Sequence, residues 1–179
     1  MARAQAGDAA AFGLLYDRYL GGVHAYCFRM LERREAAEDA TTETFLRALA
    51  GLPAYRAGSF RAWLFTIARH VVIDDQRRAR PDLPLEAAAL IPDPAASPDD
   101  VDLRLDEQAT VRALLPQLSP DQSHVIALRL SGLRADEIAR VLGKPRNAVD
   151  GLHHRAIRRA QALLATASAT ATPGGGSDA

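Results

Sequence analysis

Between positions 81 and 100 the chain carries five prolines (Pro81, Pro84, Pro92, Pro94 and Pro98) among acids and alanines. Proline has no amide donor and fixes one backbone torsion, so neither a helix nor a central strand can run through such a stretch. Its composition is that of an extended linker that cannot bury a core. The 179 residues are therefore expected to divide into two small folded blocks on either side of this strap, each with a modest core.

Charge follows the same division. Met1 to Arg80 holds twelve Lys/Arg against nine Asp/Glu, residues 81–110 one against eight, and residues 111–165 nine against four. The formal total of zero thus hides blocks of +3, −7 and +5, with −1 on the tail. Two basic blocks joined by an acidic strap point to two modules that face nucleic acid. Cys27 is the only cysteine, which excludes an internal disulfide and a cysteine-built metal cluster, and no cofactor or metal is expected. No apolar run approaches the roughly 20 residues that span a bilayer, and the start lacks an apolar signal core, so no membrane insertion and a cytoplasmic location are expected.

In the first block apolar residues recur at three and four and no stretch alternates with period two, which predicts a helical block, and with the helices expected beyond the strap an all-α chain. Asp8 can cap a first helix carrying Phe12, Leu15, Tyr16, Tyr19, Val23, Tyr26, Cys27 and Met30, with a kink or break expected at Gly21-Gly22. A second helix is predicted from about Arg34 to Leu49. After a loop, Gly51 to Gly58, Ser59 caps a third reaching toward Arg80. Beyond the strap a short helix should resume near Asp99 and end at Leu115. Ser119-Pro120-Asp121-Gln122 is then a helix start, with a cap, a proline at the first helical position and a glutamine closing the box. Gly132 stops that helix, Ala135 to Leu142 forms a short one, and Pro145 to Leu164 the last. A disordered tail is expected from residue 166 onward.

Asp136 to Val149 has the pattern of a helix-turn-helix: Ile138, Leu142 and Val149 point inward, Ala139 permits close approach and Gly143 makes the turn. In such a unit the second helix lies in the major groove with its first residues over base edges. Its candidates are Arg146, Asn147, Asp150, Gly151, His153, His154, Arg155, Arg158 and Arg159. Arginine and asparagine can pair bidentately with guanine and adenine, whereas arginines farther along more often reach phosphates.

The third helix has two faces. Phe60, Trp63, Leu64, Ile67 and Val71 form a core stripe, while Thr66, Arg69, His70, Ile73 and Arg77 repeat on the other side. Together with Tyr55 and Arg56 in the preceding loop, that second face suits single-stranded DNA, which needs cations for its backbone and surfaces for its unstacked bases. On the second helix Asp39, Thr42, Glu43, Leu46 and Arg47 share one face, acids around an apolar spot.

Taken in order, Ala37 to Ala48, Phe60 to Arg69 and the helix-turn-helix resemble the extracytoplasmic-function group of sigma-70 family transcription initiation factors, and the likeness runs from Ala6 to Leu164. The resemblance implies two helical domains joined by a flexible acidic linker: a sigma-2-like bundle over 1–80, the linker over 81–108, a sigma-4-like helix-turn-helix domain over 109–165 and a tail over 166–179. It implies docking of Asp39, Thr42, Glu43, Phe45 and Leu46 on the clamp of the largest subunit of RNA polymerase, with the second domain at the flap of the second largest. Tyr55, Arg56, Arg61, Thr66, Arg69, His70 and Arg77 would hold the melted minus-10 strand. Lys144, Arg146, Asn147, Asp150, Gly151, His153, His154, Arg155, Arg158 and Arg159 would face the minus-35 duplex. The resemblance further implies control by an anti-sigma factor and no enzymatic activity.

The chain departs from the family pattern at several places. Thr42 stands where glutamine is common, His70 where asparagine is common, and Asp150 and Leu152 replace two usual cations of the recognition helix. Phosphate affinity is expected to fall accordingly. Two other classes fit parts of the chain: a helix-turn-helix regulator acting on duplex operator DNA without polymerase, and an enzyme. The second lacks a paired carboxylate or nucleophile-base arrangement, since Asp74 and Asp75 are adjacent and so diverge on a helix.

Overall fold

The computed structural model describes residues 1–56, 58–79 and 110–170, with side chains through 166. The proline-bearing strap and residues 171–179 lie outside the described residues, as does the expected helix start near Asp99.

The first half has four helices: α1 (Ala2–Gln5), α2 (Ala9–Leu31), α3 (Arg34–Gly51) and α4 (Phe60–Ala79). Asp8 starts α2 by accepting the Ala11 amide at 3.0 Å. The helix then runs unbroken through Gly21-Gly22, against the kink expected from that pair. The backbone hydrogen bonds run on through the pair and the site is packed: a Cβ on Gly22 would meet the Phe65 ring at 3.7 Å and the Ser131 carbonyl at 4.0 Å, ordinary contact distances. The glycine is thus packed against other helices in a place where a methyl group would also fit.

Small buried residues let α3 lie close to its neighbours. Ala36, Ala37, Ala40 and Ala48 are buried, as are Thr41 and Thr44, whose hydroxyls donate to the Ala37 and Ala40 carbonyls at 2.6 Å. A 3-10 turn, Leu52–Ala54, ends the segment. Ser59 caps α4 as expected, its Oγ accepting the Ala62 amide at 3.2 Å. Phe60, Leu64, Phe65, Ala68, Val71 and Val72 of α4 enter the core, while Trp63 is half-buried against Tyr55 and Phe60.

In the second half residues 110–114 are helical and lead into a 3-10 turn, Leu115–Gln117. Helices α5 (Pro120–Leu130), α6 (Ala135–Leu142) and α7 (Arg146–Thr170) follow. Gln122 closes the start of α5 by accepting the Ser119 amide at 3.0 Å. Gly143 ends α6 at φ 62°, a left-handed conformation that side chains resist. Helix α7 outlasts the expected Leu164 by six residues, and residues 166–170 are helical where a disordered tail was expected. That stretch is rich in alanine, the best helix former, and continues an established helix, so no new nucleus is needed.

The two halves share one core. Val23, Tyr26, Phe65 and Val72 join Val125, Leu128, Leu133 and Ile138 in a continuous buried cluster, and a smaller one gathers Leu115, Leu118 and Ala156. Helices α2 and α4 supply the first half's side of this junction, α5 and α6 the second's. Each half alone would bury a modest fraction of its apolar surface, and their union increases that fraction.

Candidate nucleic-acid interface

Helices α6 and α7 form the helix-turn-helix at the positions read from the sequence. Ile138, Val141, Leu142 and Val149 are buried between them. At the entry of α7, Arg146 lies between two acids, 2.9 Å from Asp136 and 3.7 Å from Asp150. All three are exposed, so these contacts orient the guanidinium more than they stabilise the fold. Asn147 Oδ1 accepts the Ala148 amide, and Lys144 pairs with Asp121 at 3.0 Å. One turn on, a Cβ at Gly151 would come within 3.2 Å of the Arg155 guanidinium, which folds back over the glycine. His153 is half-buried, and burial, then the charges of Arg129 and His154, hold its pKa below the ordinary value. His154, Arg155, Arg158 and Arg159 stand exposed along the same helix.

In the first half the loop and α4 are less uniform. Arg56 is exposed and donates to the Ala54 carbonyl, whereas the Tyr55 hydroxyl donates to the Gly58 carbonyl at 2.8 Å and its ring packs on Phe60 and Trp63. Thr66 bonds back to the Ala62 carbonyl. His70 and Arg77 are exposed. Arg61 and Arg69, expected on the strand-facing side, turn instead toward the second half. Arg61 makes a fork to Glu137, with Nη2 2.7 Å from Oε2 and Nε 3.1 Å from Oε1. Arg69 lies near the Tyr26–His124 pair, close enough for its charge to act on both, and its buried Nε has no hydrogen-bond partner among the described residues.

On α3, Asp39, Thr42 and Leu46 are exposed and Glu43 is half-buried in a chain of ion pairs, Glu43–Arg47 at 2.7 Å and Arg47–Asp74 at 3.3 Å. Leu46 is 57% exposed. Phe45 differs from the expectation: it is buried and packs on Tyr16, ring centroids 4.6 Å apart, because its position on the helix faces α2. Leu49 extends the apolar spot and was missed, although its spacing of three from Leu46 places it on the same face.

The junction itself holds polar groups that the sequence reading left out. Glu137 is buried yet charged: burial would raise its pKa, but Arg61, the Arg134 amide and Ser59 hold the carboxyl down at about 2. His124 Nδ1 and the Tyr26 hydroxyl lie 2.9 Å apart in the core. Burial, helped by Arg69, pulls His124 down to about 4, so it is neutral at pH 7. Its position four residues before Leu128, on the apolar face of α5, was the available signal. Arg29 Nη1 donates to Ser131 Oγ at 3.3 Å. A cleft of about 340 Å³ opens at this seam, lined by Arg18, Tyr19, Gly22, Arg61, Ser131 and Glu137 among others. Among the described residues no cluster of His, Cys, Asp and Glu could hold a metal, and no helix is long and apolar enough to cross a membrane.

Two family profiles match the chain: Sigma-70 region 2 over residues 15–81 and Sigma-70, region 4 over residues 108–159. The ECF RNA polymerase sigma factor BldN of Streptomyces coelicolor is 40% identical over 167 residues, which cover 90% of this chain and 63% of that one. The chain therefore spans under two thirds of BldN. The ECF RNA polymerase sigma factor ShbA of Streptomyces griseus is 33% identical over 174 residues, covering 90% and 91%. Among solved structures, CnrH in complex with the cytosolic domain of CnrY superposes with a TM-score of 0.73 at 27% identity, covering 92% of this chain and 94% of that one. The sigma factor RpoE in complex with the anti-sigma factor NepR from Bartonella quintana gives 0.69 at 26%, covering 86% and 96%.

Proposed function

We propose a promoter-recognition role from the premise that the chain belongs to the extracytoplasmic-function group of the sigma-70 family of RNA polymerase sigma factors. In this reading it binds core RNA polymerase, recognises the minus-35 and minus-10 elements and promotes melting between them. It makes and breaks no bond; its binding energy is set against unstacking, which costs a few kcal/mol per base.

The observation that carries the reading is the presence on one chain of two surfaces of opposite character. The α3 face, with Asp39, Thr42, Glu43, Leu46 and Leu49, is acidic around exposed leucines and suits a basic, apolar-seamed helical partner such as the polymerase clamp. The α7 face, with Arg146, Asn147, Asp150, Arg155, Arg158 and Arg159, suits duplex DNA. Tyr55, Arg56, His70 and Arg77 would follow the melted strand, joined by Arg61 and Arg69 once these leave the second half. Lys144, Gly151, His153 and His154 would complete the minus-35 surface. The clamp and flap contacts, a cytoplasmic site of action and control by an anti-sigma factor belong to the same proposal. A helix-turn-helix regulator working without polymerase gives no reason for the region 2 match, and no observation favours it.

Association with core polymerase tests the reading. Glu43→Arg inverts the charge beside the exposed leucines, where Glu43 is half-buried and paired with Arg47 of its own helix. The variant should keep its circular dichroism spectrum and lose core binding by at least about tenfold. Run-off transcription by the variant at the wild-type level would refute the docking assignment.

A further inference from the structure

Helix α7 turns Arg146, Asn147, Asp150 and His154 outward at spacings of three and four, away from the buried Val149 and Ala156. Among these Asp150 is the misfit: a carboxylate on a groove-facing helix repels phosphates. Helix stability does not account for it. Its Oδ2 lies 3.7 Å from Arg146 Nε, too far for a hydrogen bond, and both side chains are more than half exposed, so the pair contributes little. Nor does Arg146 need Asp150 to hold its fork, because Asp136 of α6 already accepts from Nη1 at 2.9 Å. Gly151 then leaves the outward face without a side chain beside the acid, covered only by the Arg155 guanidinium, which a Cβ would meet at 3.2 Å. A short side chain reaches a base edge only where the helix backbone comes close to the groove floor, and a glycine under a movable arginine permits that approach.

Base chemistry narrows what the carboxylate can meet there. An ionised carboxylate only accepts hydrogen bonds. In the major groove guanine and thymine offer it acceptors, and the donors are the amines of cytosine and adenine. Adenine sets its N7 acceptor beside the N6 amine, which repels the second carboxylate oxygen, whereas cytosine presents N4 with no acceptor on its own edge. Cytosine is therefore the match. One turn earlier the Arg146 fork matches O6 and N7 of guanine. A helical turn rises about 5.4 Å and bases stack about 3.4 Å apart, so the two side chains fall on neighbouring pairs.

We propose that Asp150 is a specificity-determining residue of the helix-turn-helix: it accepts from the N4 amine of a cytosine in the base pair next to a guanine read by Arg146. Its charge lowers affinity for every duplex, and the cytosine amine offsets that loss at one sequence alone, so the residue sharpens choice by penalising the alternatives. This rests on the reading of α7 as the duplex-facing helix.

Selection by the full chain at low salt from a duplex with a randomised central stretch tests it, followed by anisotropy titrations of the selected duplex and its single-letter variants. Wild type should select neighbouring guanine and cytosine, and prefer cytosine at its position by about tenfold over the other bases. Asp150→Ala should lose that preference, keep the guanine, and bind mixed-sequence duplex more tightly than wild type. Asp150→Asn should move the choice to adenine, whose N6 and N7 an amide pairs bidentately. A carboxylate that merely repels would give Asp150→Ala higher affinity for all duplexes alike with the ranking of bases unchanged. That result overturns the proposal, as does cytosine retained by Asp150→Asn, or loss of the guanine in Asp150→Ala, the mark of an acid acting only through Arg146. A wild type that selects no sequence overturns it together with the duplex-facing reading of α7. Capture of core polymerase by the same chain, measured alongside, reports separately on the sigma-factor reading.

Discussion

Acidification from pH 7 to pH 5 is expected to weaken the packed form by about 2 kcal/mol through His124 alone. The ring is 3% exposed and sits between α2, α4 and its own helix. Tyr26 bonds it from α2, the Arg69 charge acts on it from α4, and Asp121 opposes part of the effect from the start of α5. Burial first, then Arg69, lowers its pKa from 6.5 to about 4. Once unfolded, the same ring takes its proton near 6.5. The stabilising contribution is therefore complete above that value and is lost as the pH falls from 6.5 toward 4. At pH 5 the unfolded ring is protonated by roughly thirty to one and the folded ring only by about one to ten; the ratio of one plus the first to one plus the second is about thirty, and RT times its logarithm gives the magnitude above. Urea unfolding followed by circular dichroism at both pH values, on wild type and on His124→Gln, isolates it. Glutamine offers Tyr26 a polar partner but cannot titrate, and His153, also lowered, is common to both chains. Wild type should lose about 2 kcal/mol more than the variant over this interval. Equal losses would refute the claim that a neutral, buried His124 supports the junction.

Two further outcomes follow from the recognition unit. Gly143→Ala should destabilise the fold by about 1–2 kcal/mol, visible as a lower Tm, because the residue holds a left-handed backbone at φ 62°. Arg158→Ala should weaken binding to all duplexes alike and reduce the salt slope by about 1, whereas Arg146→Ala should cost about 1–3 kcal/mol on the preferred sequence and relax base preference there; titrations of preferred and mixed duplexes at several salt concentrations separate the two.

The local stops and starts were legible because they are written in consecutive residues. Asp8, Ser59 and Ser119-Pro120-Asp121-Gln122 begin helices where their side chains can accept or supply an amide bond, and Gly143 ends one. Family membership was legible because three motifs keep their order. What the sequence hid was long-range. Gly22 looked like a break because the neighbours that pack on it, Phe65 and the Ser131 carbonyl, lie more than forty positions away. Phe45 shares a motif with exposed neighbours, yet only the place of Tyr16 shows that it turns inward. Arg61 and Arg69 read as free cations because nothing in α4 announces Glu137 or His124, which arrive from the far side of the strap. The pairing of the halves leaves no periodic trace in either.

Glu137 divides its two oxygens between separate tasks. Oε1 accepts from Ser59 and Arg61 across the seam, while Oε2, besides Arg61, accepts the Arg134 amide that opens its own helix at 3.0 Å. The second of these bonds lies wholly within the second half. The first turn of α6 is therefore tied by a contact that does not depend on Arg61 or Ser59. Amide exchange at Arg134 should then stay slow even in Arg61→Ala, which removes the fork across the seam and leaves this bond in place.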